Sequence, residues 1–299
     1  MIARPPAGRA RGFTLVEAVL VIVIIGIIGA VVAVFIRAPV QGYADSAARA
    51  AATDEADLAL RRIARDLRLA LPNSVRVSPD GDAVEFLQTR TGGRYLAIDD
   101  GVAPDTPGMH VLDVDNPGRT SFTVLGGTIR PIERGDFIVV YNLGEGAEPS
   151  DAYLYRPGAA NRNIAQVSAV AGAGTANPVV ELEYNPFALQ DTPMMSPNHR
   201  FQVVTGPVTY ACEGRAGGGN ALVRYWGYAI HAAQQLPPQG GPQRAVIAER
   251  VGSCAGIFRY GSEASRRSAL VILNLSLRLS PGDDAGIRLV HQVHVDNTP

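Results

Sequence analysis

Phe13–Ile36 reads FTLVEAVLVIVIIGIIGAVVAVFI, 24 residues in which only Thr14 and Glu17 are polar. As a helix rising ~1.5 Å per residue it reaches about 36 Å, enough to cross a hydrocarbon layer of roughly 30 Å. Arg4, Arg9 and Arg11 precede it without an acid, whereas Arg37, Asp45, Arg49, Asp54 and Glu55 follow as a mixed set. The positive-inside bias places the first dozen residues in the cytoplasm and the bulk of the chain across the membrane. An ordinary cleaved signal peptide is the rival, with Ala30 or Ala33 near the cut. Its apolar run is usually about 7–15 residues and carries no acid near its start.

Glu17 is the residue that most needs explaining. A carboxylate in a spanning segment costs on the order of 3 kcal/mol on insertion scales and signals function by default. Snorkelling to the headgroups makes it tolerable without saying why an acid is there. A carboxylate in apolar surroundings is stabilised by a cation. Cleavage just before Phe13 would supply one as a new α-amino group, in the same chain or a neighbour.

Arg11-Gly12-Phe13-Thr14-Leu15-Val16-Glu17, followed by an apolar helix, resembles the processing site of type IV prepilins and pseudopilins. The resemblance implies cleavage between Gly12 and Phe13 by a prepilin peptidase, N-methylation of Phe13, and Glu17 as the carboxylate that pairs with a neighbouring subunit's amine during assembly. It implies other minor and major pilins, the inner membrane and the pilus assembly platform as partners. The expected architecture is a pilin-like α+β fold. Residues 1–12 form a cytoplasmic leader and 13–36 the spanning helix. Residues 37–72 form a periplasmic amphipathic helix, and 73–299 a β-rich head.

Gly26 and Ala30, and Gly29 and Ala33, are small residues four apart, a spacing that lets helix backbones approach closely in lipid. The same residues are also simply common in spanning helices, and both readings stand. Pro39 removes a helix hydrogen bond and is expected to kink or interrupt the helix. From about Tyr43 to Leu71 a second helical pattern places Ala56, Ala59, Leu60, Ile63, Leu67 and Leu71 on one stripe. Arg61, Arg62, Arg65 and Arg68 lie on other faces and read as a solvated side rather than a lipid or DNA contact. Asp57 sits four before Arg61, the favourable order for an ion pair. Pro72-Asn73-Ser74 ends the helix.

From Val75 onward, short β-prone runs alternate with Gly/Pro-rich turns. The expected strands are Ala83–Leu87, Ser121–Leu125, Phe137–Asn142, Ala152–Arg156, Pro178–Glu183, Phe201–Tyr210, Leu222–Ile230, Ala269–Leu279 and Ile287–Val295. Ser280-Pro281-Gly282-Asp283-Asp284 reads as the turn joining the last two. The stretches Gly172–Asn177, Arg215–Asn220 and Leu236–Gln243 read as loops.

The two cysteines, Cys212 and Cys254, both fall in the exported head, where an oxidising compartment favours a disulfide. A zinc pair or a nucleophilic thiol fits less well, because there is no CxxC and no His or acid at metal spacing beside either cysteine.

No enzyme is legible. His291 and His294 are three apart on a strand and point to opposite faces, so they form no metal pair. Gly252-Ser253-Cys254-Ala255-Gly256 only superficially resembles a nucleophile elbow. Asp113-Val114-Asp115-Asn116-Pro117-Gly118 begins like a calcium loop. Pro117 replaces a ligand, however, and Val124 stands where the bidentate acid belongs, which favours a turn. No phosphate-cradling loop or cofactor motif occurs, so neither metal nor cofactor is expected. With 27 basic and 28 acidic residues the formal net charge is −1, which leaves no bulk positive field for a nucleic acid.

Within the pilin-like family, Thr53–Arg76, Val208–Cys212, Leu222–Tyr228 and His291–Pro299 resemble the MshO-type minor pilins of the MSHA pilus system. That resemblance implies a low-abundance subunit at the pilus tip that helps to initiate or cap assembly. A J-like pseudopilin of type II secretion and a tip adhesin binding a surface or glycan are the alternatives.

Overall fold

Leu15–Leu67 forms one helix, α1. The computed structural model describes residues 12–103, 106–216, 218–260, 269–280 and 285–299. The chain divides between Ala51 and Ala52 into two compact units.

In the first unit the apolar helix is exposed throughout, and its most apolar window buries nothing. It is long and apolar enough to cross a membrane. The helix does not stop at Pro39, which lies inside it. Of the expected kink or interruption, the interruption does not occur. A proline forfeits one hydrogen bond, and the apolar turns before it and the alanine-rich turns after it keep the flanking backbone helical.

The second unit begins with the C-terminal turns of α1. Ala52, Ala56, Ala59, Leu60, Ile63, Ala64 and Leu67 are buried on one stripe. Complete burial of a Leu or Ile contributes roughly 1.5–3 kcal/mol, so Leu60, Ile63 and Leu67 anchor the helix. Arg61, Arg62, Arg65 and Arg68 are exposed, and Arg61 pairs with Asp57 at 2.6 Å. The helix ends at Leu67, short of the expected Leu71, because the following backbone is recruited by a strand. Thr89 N and its hydroxyl both donate to Leu69 O, and Leu71 N donates to Leu87 O. Leu71 is buried nonetheless, in a separate core with Leu87, Val139 and Tyr153.

Among the described residues twelve strands follow. They are β1 (Arg76–Val77), β2 (Ala83–Tyr95), β3 (Ser121–Leu125), β4 (Phe137–Val139), β5 (Ile164–Ala171) and β6 (Val179–Leu182). Then come β7 (Arg200–Gly214), β8 (Asn220–Trp226), β9 (Gln243–Val251), β10 (Phe258–Arg259), β11 (Leu270–Arg278) and β12 (Gly286–His294). The fold is α+β, a long apolar N-terminal helix followed by a β-rich head.

β2 and β7 are long enough to serve two cores. Their paired halves Ala83–Gln88 and Gly206–Ala211 join β8, β9 and β11 against the helix. The shared core contains Ile63, Leu67, Phe86, Tyr210, Leu222, Leu273 and Val293. Register shifts between Gln88 and Thr91 mark the change of direction, as bulges do. Beyond them β2, β3, β6, β5, β4 and β7 form a closed ring of antiparallel pairings. Each strand of the ring contributes to a second core, with Tyr95, Phe122, Ile138, Val167, Val180 and Phe201 among its members. Gly93 allows this packing, since a Cβ there would lie 2.9 Å from the Phe201 ring.

Other expected features differ, among them Phe137–Asn142, which ends as a strand at Val139. Ala152–Arg156 is not a strand; Ala152–Leu154 is a 3-10 turn capped by Asp151, whose carboxylate accepts from Tyr153 N. Ala152 N donates to Asn142 Oδ1, so local side-chain acceptors win over strand pairing. Leu222–Ile230 ends as a strand at Trp226, where Gly227 turns the chain at φ +72°. Strands β1, β5, β9 and β10 were not expected from the sequence. Most of the expected Ser280–Asp284 turn lies outside the described residues.

Candidate processing and assembly site

The residues around the expected cleavage point form the start of α1. Gly12, Phe13 and Thr14 are non-helical and exposed, and no atom lies within 4 Å of where a Gly12 Cβ would sit. Residues 1–11 of the expected leader lie outside the described residues.

Thr14 is the N-cap. Its carbonyl accepts from Glu17 N and Ala18 N, both at 3.1 Å, and its hydroxyl accepts from Glu17 N at 3.3 Å. The Thr14 hydroxyl in turn faces Glu17 Oε2 at 3.5 Å. Thr14-Leu15-Val16-Glu17 therefore has the order of a capping box, with Glu17 at the third helical position. In that position the carboxylate also sits among the unsatisfied N–H groups at the positive end of the helix dipole. The local T-x-x-E order is the sequence signal for this cap.

Gly26, Gly29, Ala30 and Ala33 are all exposed, and no atom lies within 4 Å of a Cβ built at either glycine. The small-residue stripe is thus open to a neighbouring helix.

The head residues singled out by sequence lie elsewhere. Cys212, at the end of β7, is bonded to Cys254 across 42 positions, which ties the loop after β9 to the central sheet. His291 is half-buried on β12 and His294 exposed. Asp113 accepts from the N–H groups of Asp115 and Asn116, both at 2.9 Å, and meets Arg119 at 3.3 Å. Its carboxylate is spent on a turn. The described residues contain no group of three or more His, Cys, Asp or Glu side chains positioned for a metal.

Sequence reasoning missed a buried polar network under the head's surface. Arg76 donates to Glu85 Oε2 at 2.9 Å, lies 3.6 Å over the Tyr153 ring, and donates to the carbonyls of His231 and Ala232. Glu85 also accepts from the Tyr228 hydroxyl, which is 2.6 Å from Thr209 Oγ1. Burial holds the Glu85 carboxyl above the usual carboxylate range, against the opposing pull of the Arg76 charge. Each of these polar groups has a partner, and the network reads as a fastening of the segment after β8 rather than a reactive centre.

Residues 8–33 match a family model described as the prokaryotic N-terminal methylation motif. The match covers Gly12, Phe13, Glu17 and the small-residue stripe, and it supports a type IV pilin-like prepilin. Such a motif implies processing by prepilin peptidase and assembly with other pilins, and with the apolar helix it suggests a membrane-anchored, pilin-like chain. Neither the curated proteins nor the solved structures yielded a match.

Proposed function

We propose that this chain is a minor pilin of an MSHA-type type IV pilus that helps to initiate or cap assembly at the tip. The observation that carries the pilin reading is the methylation-motif match at residues 8–33, with Glu17 in the first turn of an otherwise apolar helix. The assignment to the MSHA type rests on the resemblance of Thr53–Arg76, Val208–Cys212, Leu222–Tyr228 and His291–Pro299 to MshO-type sequences.

In this reading residues 1–12 stay in the cytoplasm, residues 13–36 span the inner membrane, and the helix beyond and the head enter the periplasm. Prepilin peptidase cuts between Gly12 and Phe13 and the new amine of Phe13 is methylated. The released amine and the Glu17 carboxylate are then a cation and an anion in apolar surroundings. Pairing between neighbouring subunits relieves the cost of about 3 kcal/mol that an isolated carboxylate incurs in lipid. That relief, with close packing at Gly26, Gly29, Ala30 and Ala33, draws the subunit out of the bilayer into the fibre.

The test is mass spectrometry of the N-terminal peptide from protein made in its native host. An N-methylated Phe13 start is expected. An intact Met1, or a start after Ala30 or Ala33, overturns the reading. Deletion of the gene is expected to abolish pili; intact pili that no longer bind would instead identify a tip adhesin.

A further inference from the structure

Two arginines stand directly opposite each other at the end of the β2–β7 ladder. The register there runs Gly92↔Gln202, Gly93↔Phe201 and Arg94↔Arg200. Tyr95 N donates to His199 O at 2.9 Å, so Tyr95–His199 is a hydrogen-bonded pair and its neighbour Arg94–Arg200 is not. Non-bonded pairs bring side chains closest, and like charges so placed are destabilising. Side chains alternate along a strand, so Tyr95 and Phe201 point into the second core and both arginines point away from it.

One of the two charges is neutralised within the chain. Arg94 donates through Nη2 to the Asp100 carboxylate, and the same nitrogen lies 3.2 Å from His199 Nδ1. His199 is itself fixed. Its Nε2 meets Asp99 at 3.2 Å, its ring lies 5.5 Å from that of Tyr95, and its backbone is left-handed at φ +53°. A residue other than glycine keeps such a conformation where its surroundings hold it there. Arg94 is thus anchored by one nitrogen, and its Nη1 and Nε have no partner among the described residues. Arg200 is exposed and forms no ion pair among the described residues.

Both arginines line a groove of about 630 Å³ together with Asn198, His199 and Gln202, and no carboxylate is on its lining. Asp99 and Asp100 lie outside that lining, held by His199 and by Arg94 and Ala97 N. A Cβ at Gly92 would lie 2.8 Å from Gln202 Oε1, so the glycine is what admits that amide. The volume falls in the range of small-molecule sites and far exceeds that of a single ion.

We propose that this groove binds an oxyanion between Arg94 and Arg200, a carboxylate or phosphate carried on a larger hydroxylated molecule such as an acidic sugar. Guanidinium forks match either group bidentately. Bound there, the anion relieves the opposition of like charges that the register imposes. The side-chain amides of Asn198 and Gln202 supply donors and acceptors for hydroxyl groups. Phe201 is buried in the core, so recognition rests on charge and hydrogen bonds rather than on stacking against its ring. His199 is a positioning residue that acts through Arg94. The site lies wholly in the head, and the inference stands apart from the processing of the N-terminus.

The experiment is isothermal titration calorimetry of the full chain in detergent micelles, at constant ionic strength, with glucuronate, glucose 6-phosphate and glucose. The wild type is expected to bind at least one of the two acids saturably and glucose not at all; the tighter acid tells carboxylate from phosphate. Arg200→Gln is expected to weaken that binding at least tenfold. Its melting temperature without ligand is expected to be kept or raised, because an opposed like charge is gone. Arg200→Lys retains the charge without the fork and is expected to fall between the two. The proposal is overturned if neither acid binds, if glucose binds as well as they do, or if Arg200→Gln binds like the wild type. A lower melting temperature of Arg200→Gln without ligand also overturns it, since Arg200 would then be serving the fold rather than a ligand.

Discussion

Arg224 on β8 reaches Asp66 in the last turn of α1, Nε to Oδ2 at 2.8 Å, with both side chains almost buried. Tyr210 on β7 donates to the same oxygen at 2.7 Å, and burial beside that carboxylate pushes its own hydroxyl to a higher pKa. One carboxylate thus ties the end of the helix to two neighbouring strands. Asp66→Ala leaves the Arg224 charge without its anion, and breaking a buried pair from one side costs about 3 kcal/mol or more. Denaturant unfolding of the full chain in micelles is expected to show that loss for Asp66→Ala and a smaller one for Arg61→Ala, whose pair with Asp57 is solvated.

Glu17 has a local partner in Thr14 and, in the proposed fibre, a neighbour's amine. Glu17→Ala is expected to leave cleavage and membrane insertion intact and to reduce incorporation into fibres several-fold. Sheared pili assayed by immunoblot provide the measurement. Normal incorporation would remove the assembly role. Thr14→Ala removes the capping hydroxyl, a loss of about 1 kcal/mol at the helix start, and is expected to speed amide exchange at Glu17.

The Cys212–Cys254 bond closes a 42-residue separation. On the chain-entropy account, itself disputed, such a loop contributes roughly 4 kcal/mol. The double variant Cys212→Ser, Cys254→Ser is expected to melt well below the wild type, and the wild type with reductant is expected to move towards it. Equal melting of all three would mean that the sheet holds this loop unaided.

Glu85 gives the head a pH dependence of definite sign. Its carboxyl is held above its ordinary value in the folded state, so the folded chain binds that proton more tightly than the unfolded one. Its contribution is full below the ordinary carboxylate range and is lost as pH rises through the raised folded value. Glu85→Gln removes this titration. The stability difference between wild type and Glu85→Gln is expected to shift against the wild type as pH rises across that window, and melting curves at stepped pH provide the check.

The N-terminal quarter was legible because its signals are local. Twenty-two apolar residues among 24 make a helix long and apolar enough to cross a membrane whatever follows. Arg11-Gly12-Phe13 with Glu17 four residues on carries its chemistry in the chain itself, and the stripe from Ala56 to Leu67 announces its buried face by periodicity alone. Ser121–Leu125 is a strand with the bounds its composition suggested. The half-hidden strands show where that fails. β5, IAQVSAVA, is alanine-rich, and β9, QRAVIAERV, has its alternation broken by register shifts, so neither declares a face before its neighbours are in place.

By itself, then, the sequence determined a basic N-terminal stretch, an apolar helix with one acid at its start, and a β-rich remainder with two cysteines. Those properties depend on hydrophobic transfer and on hydrogen bonds within a few residues. Only the tertiary structure decided that β2 and β7 each serve two cores, that Leu71 leaves the helix to join a third, that Arg76 and Glu85 share a buried network, and that β12 pairs with β11 along its entire length. These depend on pairings between residues far apart in the chain, whose outcome is set by the strands competing for each edge.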